Sequence, residues 1–355
     1  MRSPRRQGDR PQAQVRWAAA LVIVVAAASV AASHLATARS PDSAAVTAGG
    51  ASATPAPDPF PTGAPATPVV VPGPSYPDPP TLGPSVAGDY VPVPELATAD
   101  TPDTYSEGCH QLRKAAAVVA CVYGDPASET VVALVGDSHA AQWQPGLRAV
   151  AEARGWRLES YTKTSCPMAD VEVWIRKDGQ PYTSCTAWNT SMLAALVGDI
   201  RPDLLVTSLS GEYDVVVDGA MVAAGPEADA LLSQGLARTW SALEDAGIPV
   251  VVLMDVPWFP VEVGACIAEQ PEAPARCDAE RTAGVAASGA AIINAAASAE
   301  PRAEVLDLTP ALCGPRICPA VIDGVVVMRD EHHITATFSR ALAPWIDAGL
   351  TFAMW

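Results

Sequence analysis

The stretch VVALVGDSHAAQW, Val131–Trp143, decides how the rest of the chain is read. An unbroken apolar run passes through Gly136 into Asp137-Ser138-His139, and an alanine-rich segment follows. A short β-branched run without polar alternation is the pattern of a strand buried on both faces, as in parallel sheets. The next residues, HAAQWQPGLRAVAEARG, have helical spacing and a glycine stop at Gly155. Ser138 therefore falls at the carboxyl end of a strand, where open parallel sheets hold their ligands. Glycine permits the tight turn, and the start of a helix favours negative charge. A serine so placed can be nucleophile and oxyanion donor together. The competing reading is a plain helix cap, because serine or aspartate before a helix is ordinary.

Working outward, the same alternation continues. WRLESYT, DLLVTSLS, IPVVVLMDVP and AEVLDLT read as strands. AWNTSMLAALVGDI, EADALLSQGLARTWSALEDAG, DAERTAGVAASGAAIINAAASA and TATFSRALAPWIDAG read as helices between and after them. Alternating strands and helices predict an α/β domain whose parallel sheet is covered on both faces. Two loops, Cys166–Cys185 and Pro257–Cys277, are longer than such connections need, and each holds two cysteines. Long ordered loops at strand ends usually carry function. The domain is expected over residues 105–355.

The chain before it reads differently. Residues 1–38 open with five arginines and continue into an apolar run from Trp17 to about Ala32. That order is the mark of a signal peptide or of an uncleaved signal anchor. Residues 39–104 are rich in proline, alanine and threonine, a composition expected to stay disordered as an extended spacer or a tail without positional role. The formal charge of -17 over 355 residues argues against nucleic acid as a partner.

The eight cysteines, Cys109, Cys121, Cys166, Cys185, Cys266, Cys277, Cys313 and Cys318, fall in four sequence-local couples. An even number in an exported chain reads as disulfides, although eight cysteines allow roughly 105 connectivities. Zinc is the competing reading. Only Cys313 and Cys318 approach ligand spacing, and no second tight couple completes a site.

A serine hydroxyl needs a base. VVVMRDEHHITATFSRALAPW supplies one: Asp330 and His333 stand three apart, so that the carboxylate can hold Nδ1 while Nε2 faces a serine. This segment also follows a strand, which should bring it to the edge that carries Ser138. Alone, an Asp-x-x-His pair reads as a solvated loop; with Ser138 it reads as a triad.

Together, GDSH around Ser138 and the late Asp330/His333 resemble the first and last blocks of the SGNH, or GDSL-like, hydrolase superfamily. The strings GCHQ, CVYGDP, VVALVGDSHAAQWQPGL, YTKTSCPMADV, RPDLLVTS and CGPRICPAVIDGVVVMRDEHHITATFSRALAP resemble one branch, the extracytoplasmic SGNH domains at the C-terminus of membrane acyltransferase-3 proteins. The resemblance implies a three-layer α/β/α fold of the flavodoxin-like SGNH hydrolase type. It implies Ser138 as nucleophile, His333 as base and Asp330 as its orienting partner, with no cofactor and no metal. An acyl group, usually acetyl, would pass through Ser138 to an envelope glycan or to water. With a single apolar segment in view, the chain would work beside a separate membrane acyltransferase as acyl donor.

The chain departs from the superfamily at the oxyanion hole. TSLSGEYD stands where Gly and Asn donors are expected, leaving Ser138, Ser210 and Gly211 as candidates, with the backbone near Lys163. One missing donor costs about 10²–10³ in rate, so a non-catalytic carbohydrate-binding or scaffolding domain is the alternative reading. Lys163, Trp258 and His139 are the candidates for substrate contact, Trp258 by stacking on a sugar face. His332 is expected at the surface or behind the base, and Asp137 to hold the serine turn.

Overall fold

A computed structural model describes Pro77 and residues 82–353; the basic leader, the apolar segment and most of the linker lie outside these residues. Seven strands build the central sheet: β1 (His110–Gln111), β2 (Cys121–Gly124), β3 (Val131–Gly136), β4 (Arg157–Lys163), β5 (Leu204–Ser208), β6 (Val250–Leu253) and β7 (Glu304–Leu306). Their order is β1-β4-β3-β5-β6-β7 with all neighbours parallel, while β2 runs antiparallel along the half of β4 that β1 does not cover. Gly136 pairs with Thr162 on one side and Ser208 on the other, so β3, β4 and β5 end level.

Side chains of β3 alternate between two cores, as the two-residue period of a strand requires. Val132 and Leu134 join Leu147 and Val150 of α2 (Gln144–Arg154) and Ile346 and Leu350 of α8 (Ala343–Ala353). Ala133 and Val135 face the other way. There Trp188 and Met192 of α3 (Thr183–Ala195), Trp240 of α4 (Pro226–Asp245) and Ile293 of α6 (Ala290–Ala299) cover the sheet. The result is the expected three-layer α/β/α sandwich. No single helix among the described residues is long and apolar enough to cross a membrane.

Three expected helices are broken, each for a local reason. The helix after Ser138 is a single turn, α1 (Ser138–Ala141), followed by α2, with Pro145 in the first turn of α2. Proline is accepted there because that N–H has no intrahelical partner. The final helix divides at Leu342 into α7 (Ala336–Ala341) and α8, again with proline at the new start. Arg281–Ala287 bends by 62° into α6 at Ser288-Gly289.

The cysteines pair with their sequence neighbours: Cys109–Cys121, Cys166–Cys185, Cys266–Cys277 and Cys313–Cys318. The Cys166–Cys185 loop carries Val173–Ile175 and Gln180–Pro181, two strands of a small antiparallel sheet completed by Asp214–Val217 and Ala220–Val222.

The expected linker needs correction over its last part. Residues 82–104 lie on the domain. The Ser85 backbone N–H donates to Asp278 at 3.1 Å, Val91 bridges to Val325, and Pro94–Ala99 forms a 3₁₀ helix with Ala97 fully buried. A proline-rich composition hides this contact, because the partners are distant in sequence.

The seat of that segment is Gly264 in α5 (Val263–Glu269): a Cβ there would meet the Pro94 carbonyl at 2.5 Å and Ala97 Cβ at 2.9 Å. Gly264→Ala is expected to cost about 1–3 kcal/mol in urea unfolding, as overpacking does, and to speed proteolysis within residues 82–99. Unchanged stability and cleavage would mean the segment is not held there.

Candidate active site

The serine turn is fixed from beneath by a carboxylate. Gly136 has φ 148°, and a Cβ there would meet Ala140 Cβ at 2.8 Å and Ser208 O at 2.9 Å, so no larger residue fits between β3 and α1. Asp137, fully buried, caps α1. Its Oδ1 accepts from the N–H groups of His139 (2.7 Å) and Ala140 (3.3 Å), and its Oδ2 from Ser210 N–H (2.9 Å) and the Tyr213 hydroxyl (2.5 Å). One carboxylate therefore binds the Ser138 turn to the loop after β5. Burial, with Asp137 adding to it, pushes the Tyr213 hydroxyl well above its ordinary pKa, so it remains a donor.

Ser138 is partly exposed and borders a cavity of about 320 Å³ with His139, Ser210, Trp258 and His332. The Asp330–His333 turn reaches the same place although it does not follow a strand of the main sheet. Val325–Val326 instead pairs with Val321–Ile322 in a separate hairpin. What carries the turn in is Gln142, fully buried just after α1, whose side-chain oxygen accepts the Ile334 N–H at 2.9 Å. Phe259 N–H donates to Glu331 O at 2.7 Å and ties in the Trp258 loop.

Within the turn, Asp330 Oδ1 accepts from the N–H groups of His332 (2.9 Å) and His333 (2.7 Å), and Oδ2 lies 2.8 Å from His333 Nδ1. Burial alone would raise the Asp330 pKa. The hydrogen bond from His333 and the charge of Arg329 at 3.3 Å prevail and hold it below the carboxylate range. His333 is pulled down to about 3, chiefly by burial, against the opposing pull of Asp330. It is thus a neutral imidazole at pH 7, with its Nε2 buried and without a hydrogen-bond partner. The Ser138 hydroxyl makes no bond to it here.

His139 is the main surprise. It is fully buried, and its Nδ1 lies 2.5 Å from Asp255 Oδ1. Its Nε2 lies 3.0 Å from His332 Nδ1, and the two rings are near parallel, 3° apart, with centroids 5.2 Å apart. Burial would lower the His139 pKa, but Asp255, with Asp137 and Asp330 behind it, holds it above the ordinary value. Asp255 also accepts from Val256 N–H, Gly289 N–H and the Trp258 indole. Two acid–imidazole pairs therefore stand side by side, Asp330–His333 and Asp255–His139, with His332 touching both rings. Asp255 at the end of VVVLMD was missed in the sequence. Its signal was a lone carboxylate just past a buried strand.

Three expectations change. Lys163 does not face the cavity: it is buried, and its ammonium donates to the carbonyls of Leu112, Arg113 and Ala115. Burial brings its pKa down to about 8. Ser210 borders the cavity, but its N–H is spent on Asp137 and cannot serve an oxyanion. His139 reaches the cavity wall as a buried partner of Asp255 rather than as an exposed substrate contact. Gly211 and Trp258 do line the cavity, and Trp174 and Arg176 of the Cys166–Cys185 loop join them.

The profile of the family described as "SGNH domain (fused to AT3 domains)" matches residues 108–348. No curated protein matches the chain at a significant level. Among solved structures, the chain is similar to the periplasmic domain of a lipopolysaccharide acetyltransferase from Salmonella ser. Paratyphi A. The two share 17% identity over 70% of this chain and 87% of that one, with a TM-score of 0.46. It is also similar to a carbohydrate esterase family 2 enzyme plus carbohydrate-binding domain from Corynascus thermopiles. That pair shows 14% identity over 65% of this chain and 69% of that one, with a TM-score of 0.35.

Two measurements probe this architecture. Tyr213→Phe withdraws one donor from buried Asp137 and is expected to cost about 1–3 kcal/mol in chemical denaturation; no change would show that the hydroxyl does not hold the carboxylate. His333 and His110 have folded pKa values of about 3 and about 4 against an ordinary 6.5. The unfolded chain thus binds more protons, so their contribution is whole above pH 6.5 and declines as pH falls towards 4. Denaturation midpoints should fall over that window, and less steeply in His333→Gln. A midpoint that falls as steeply in the variant would exclude His333 as a source.

Proposed function

Because this chain belongs to the family of SGNH domains fused to AT3 domains, we propose that it is an acyl-ester enzyme with Ser138, His333 and Asp330 as its triad. The supporting observation is the state of His333: Nδ1 on Asp330, neutral, with Nε2 buried and unpaired beside the turn that bears Ser138. A neutral imidazole with a free lone pair is what a general base requires. Such bonds are often long before substrate arrives and tighten in the complex.

Ser138 Oγ attacks the ester carbonyl while His333 Nε2 takes its proton. Asp330 stabilises the resulting imidazolium. Collapse of the tetrahedral adduct breaks the ester C–O bond, and His333 returns the proton to the departing oxygen. An acceptor hydroxyl then gives its proton to His333 and attacks acyl-Ser138, and the proton finally returns to Ser138. The Ser138 N–H and the Gly211 backbone are the remaining oxyanion donors. A sugar hydroxyl as acceptor gives O-acyl transfer, and water gives hydrolysis. Trp258, held by its indole bond to Asp255, offers a face for a sugar ring.

The four disulfides fit an oxidising, extracytoplasmic compartment. With its N-terminal segment retained or cleaved, the domain would be membrane-anchored or secreted. There it would meet an envelope glycan and a membrane acyltransferase as acyl donor. One observation favours the second reading, a non-catalytic carbohydrate-binding domain: the commitment of Ser210 N–H to Asp137 leaves the oxyanion site short of a donor.

A fluorophosphonate probe should label the full chain at Ser138 and lose the label in Ser138→Ala. Asp330→Asn should slow ester turnover by about 10⁴, as loss of an orienting acid does. Labelling that survives Ser138→Ala removes this serine, and no labelling at all favours the binding domain. The acid limb of kcat/KM should lie below the ordinary histidine value of 6.5, because His333 stays neutral there. A limb at or above that value would show that His333 is not the titrating base. Mass spectrometry with an activated acetyl donor and glycan acceptors separates transfer from hydrolysis.

A further inference from the structure

The three imidazoles beside Ser138 are arranged for more than proton transfer. His139, His332 and His333 each offer a ring nitrogen within 4.8 Å of the other two. His139 and His333 are held in the same way: Nδ1 rests on a carboxylate, Asp255 or Asp330, and Nε2 turns inward. That carboxylate–imidazole pairing is the support that metal-ligating histidines nearly always have. His333 Nε2 is buried and has no partner. His139 Nε2 and His332 Nδ1 lie 3.0 Å apart. Two nitrogens on one tetrahedral zinc, each at about 2.0–2.1 Å, stand roughly 3.3 Å apart. Behind the rings lie Asp137, Asp255 and Asp330, whose charges favour a cation at the ring nitrogens; Arg329 lies against Asp330, and Arg113, Arg176 and Lys177 line the same cavity.

We propose that His139, His332 and His333 form a binding site for a divalent transition metal of the zinc class, and that the bound metal switches the enzyme off. The metal takes the place of the hydrogen bond between His139 Nε2 and His332 Nδ1. It also takes the lone pair of His333 Nε2. A coordinated imidazole cannot accept the Ser138 proton, so metal-bound and acyl-transfer-competent forms exclude each other. Asp255 acts through His139, as a positioning residue. Metal binding stands on the three rings alone; only the blocking of activity rests on His333 being the base.

The full chain is treated with EDTA, exchanged into metal-free buffer and titrated with zinc chloride by calorimetry. One zinc per chain is expected. Cobalt(II) in its place should show the visible absorption of a four-coordinate ion. His332→Ala, at a half-buried ring, should abolish both signals while circular dichroism stays unchanged. Asp255→Asn should weaken zinc by about 10–100-fold; if that variant does not fold, His332→Ala decides. No zinc uptake, or equal affinity in His332→Ala, overturns the site. Zinc should suppress fluorophosphonate labelling in the wild-type chain and have no effect on labelling of His332→Ala. Zinc uptake with undiminished labelling overturns the blocking. Zinc uptake in a chain that never labels, even in EDTA, upholds the site and counts against the triad instead.

Discussion

Everything at the cavity depends on one buried carboxylate. Asp137 gathers four donors from two segments more than seventy positions apart, and none of them is a cation. Two of its bonds close the first turn of α1 and so set the direction of Ser138. The other two fasten the loop after β5, which forms the opposite wall. A buried charge without such partners is costly, so the turn and the wall must form together. The same bonds that stiffen the site also remove Ser210 N–H from the chemistry.

Much of this was legible in the sequence, and the limits are physical. β3, β5 and β6 are short runs of buried, largely apolar residues, and their identity survives any error about neighbours. Asp330 and His333 were legible because they sit three apart and face one another within a single turn. His139 was not. Beside Ser138 in the chain it looks like an ordinary residue at a helix start, and its partners stand 116 and 193 positions away. Lys163 misled for the opposite reason. A lysine at a strand end reads as a solvent-facing charge, yet here three carbonyls of the segment after β1 take the place of water. Local spacing reports local contacts, and ring-to-ring contacts across loops have no period.

Three aspartates near the cavity show how position, more than residue type, assigns a task. Asp137 is filled by backbone and phenol donors and serves geometry. Asp330 sits against an arginine and keeps its charge beside an imidazole that burial makes neutral. Asp255, joined to a ring whose basicity it raises, stands behind a second imidazole that leads to a third. Three imidazoles therefore stand in contact beside the serine turn, each in a different setting.

The spacing of the disulfides bears on how such a chain matures. Each bond joins cysteines only 5 to 19 positions apart, and no bond encloses another. A polypeptide threaded outward from its N-terminus can close every loop as soon as that short stretch emerges, without waiting for a distant thiol. Wrong pairings are disfavoured by order of arrival, so oxidation of this domain should demand little repair by an isomerase.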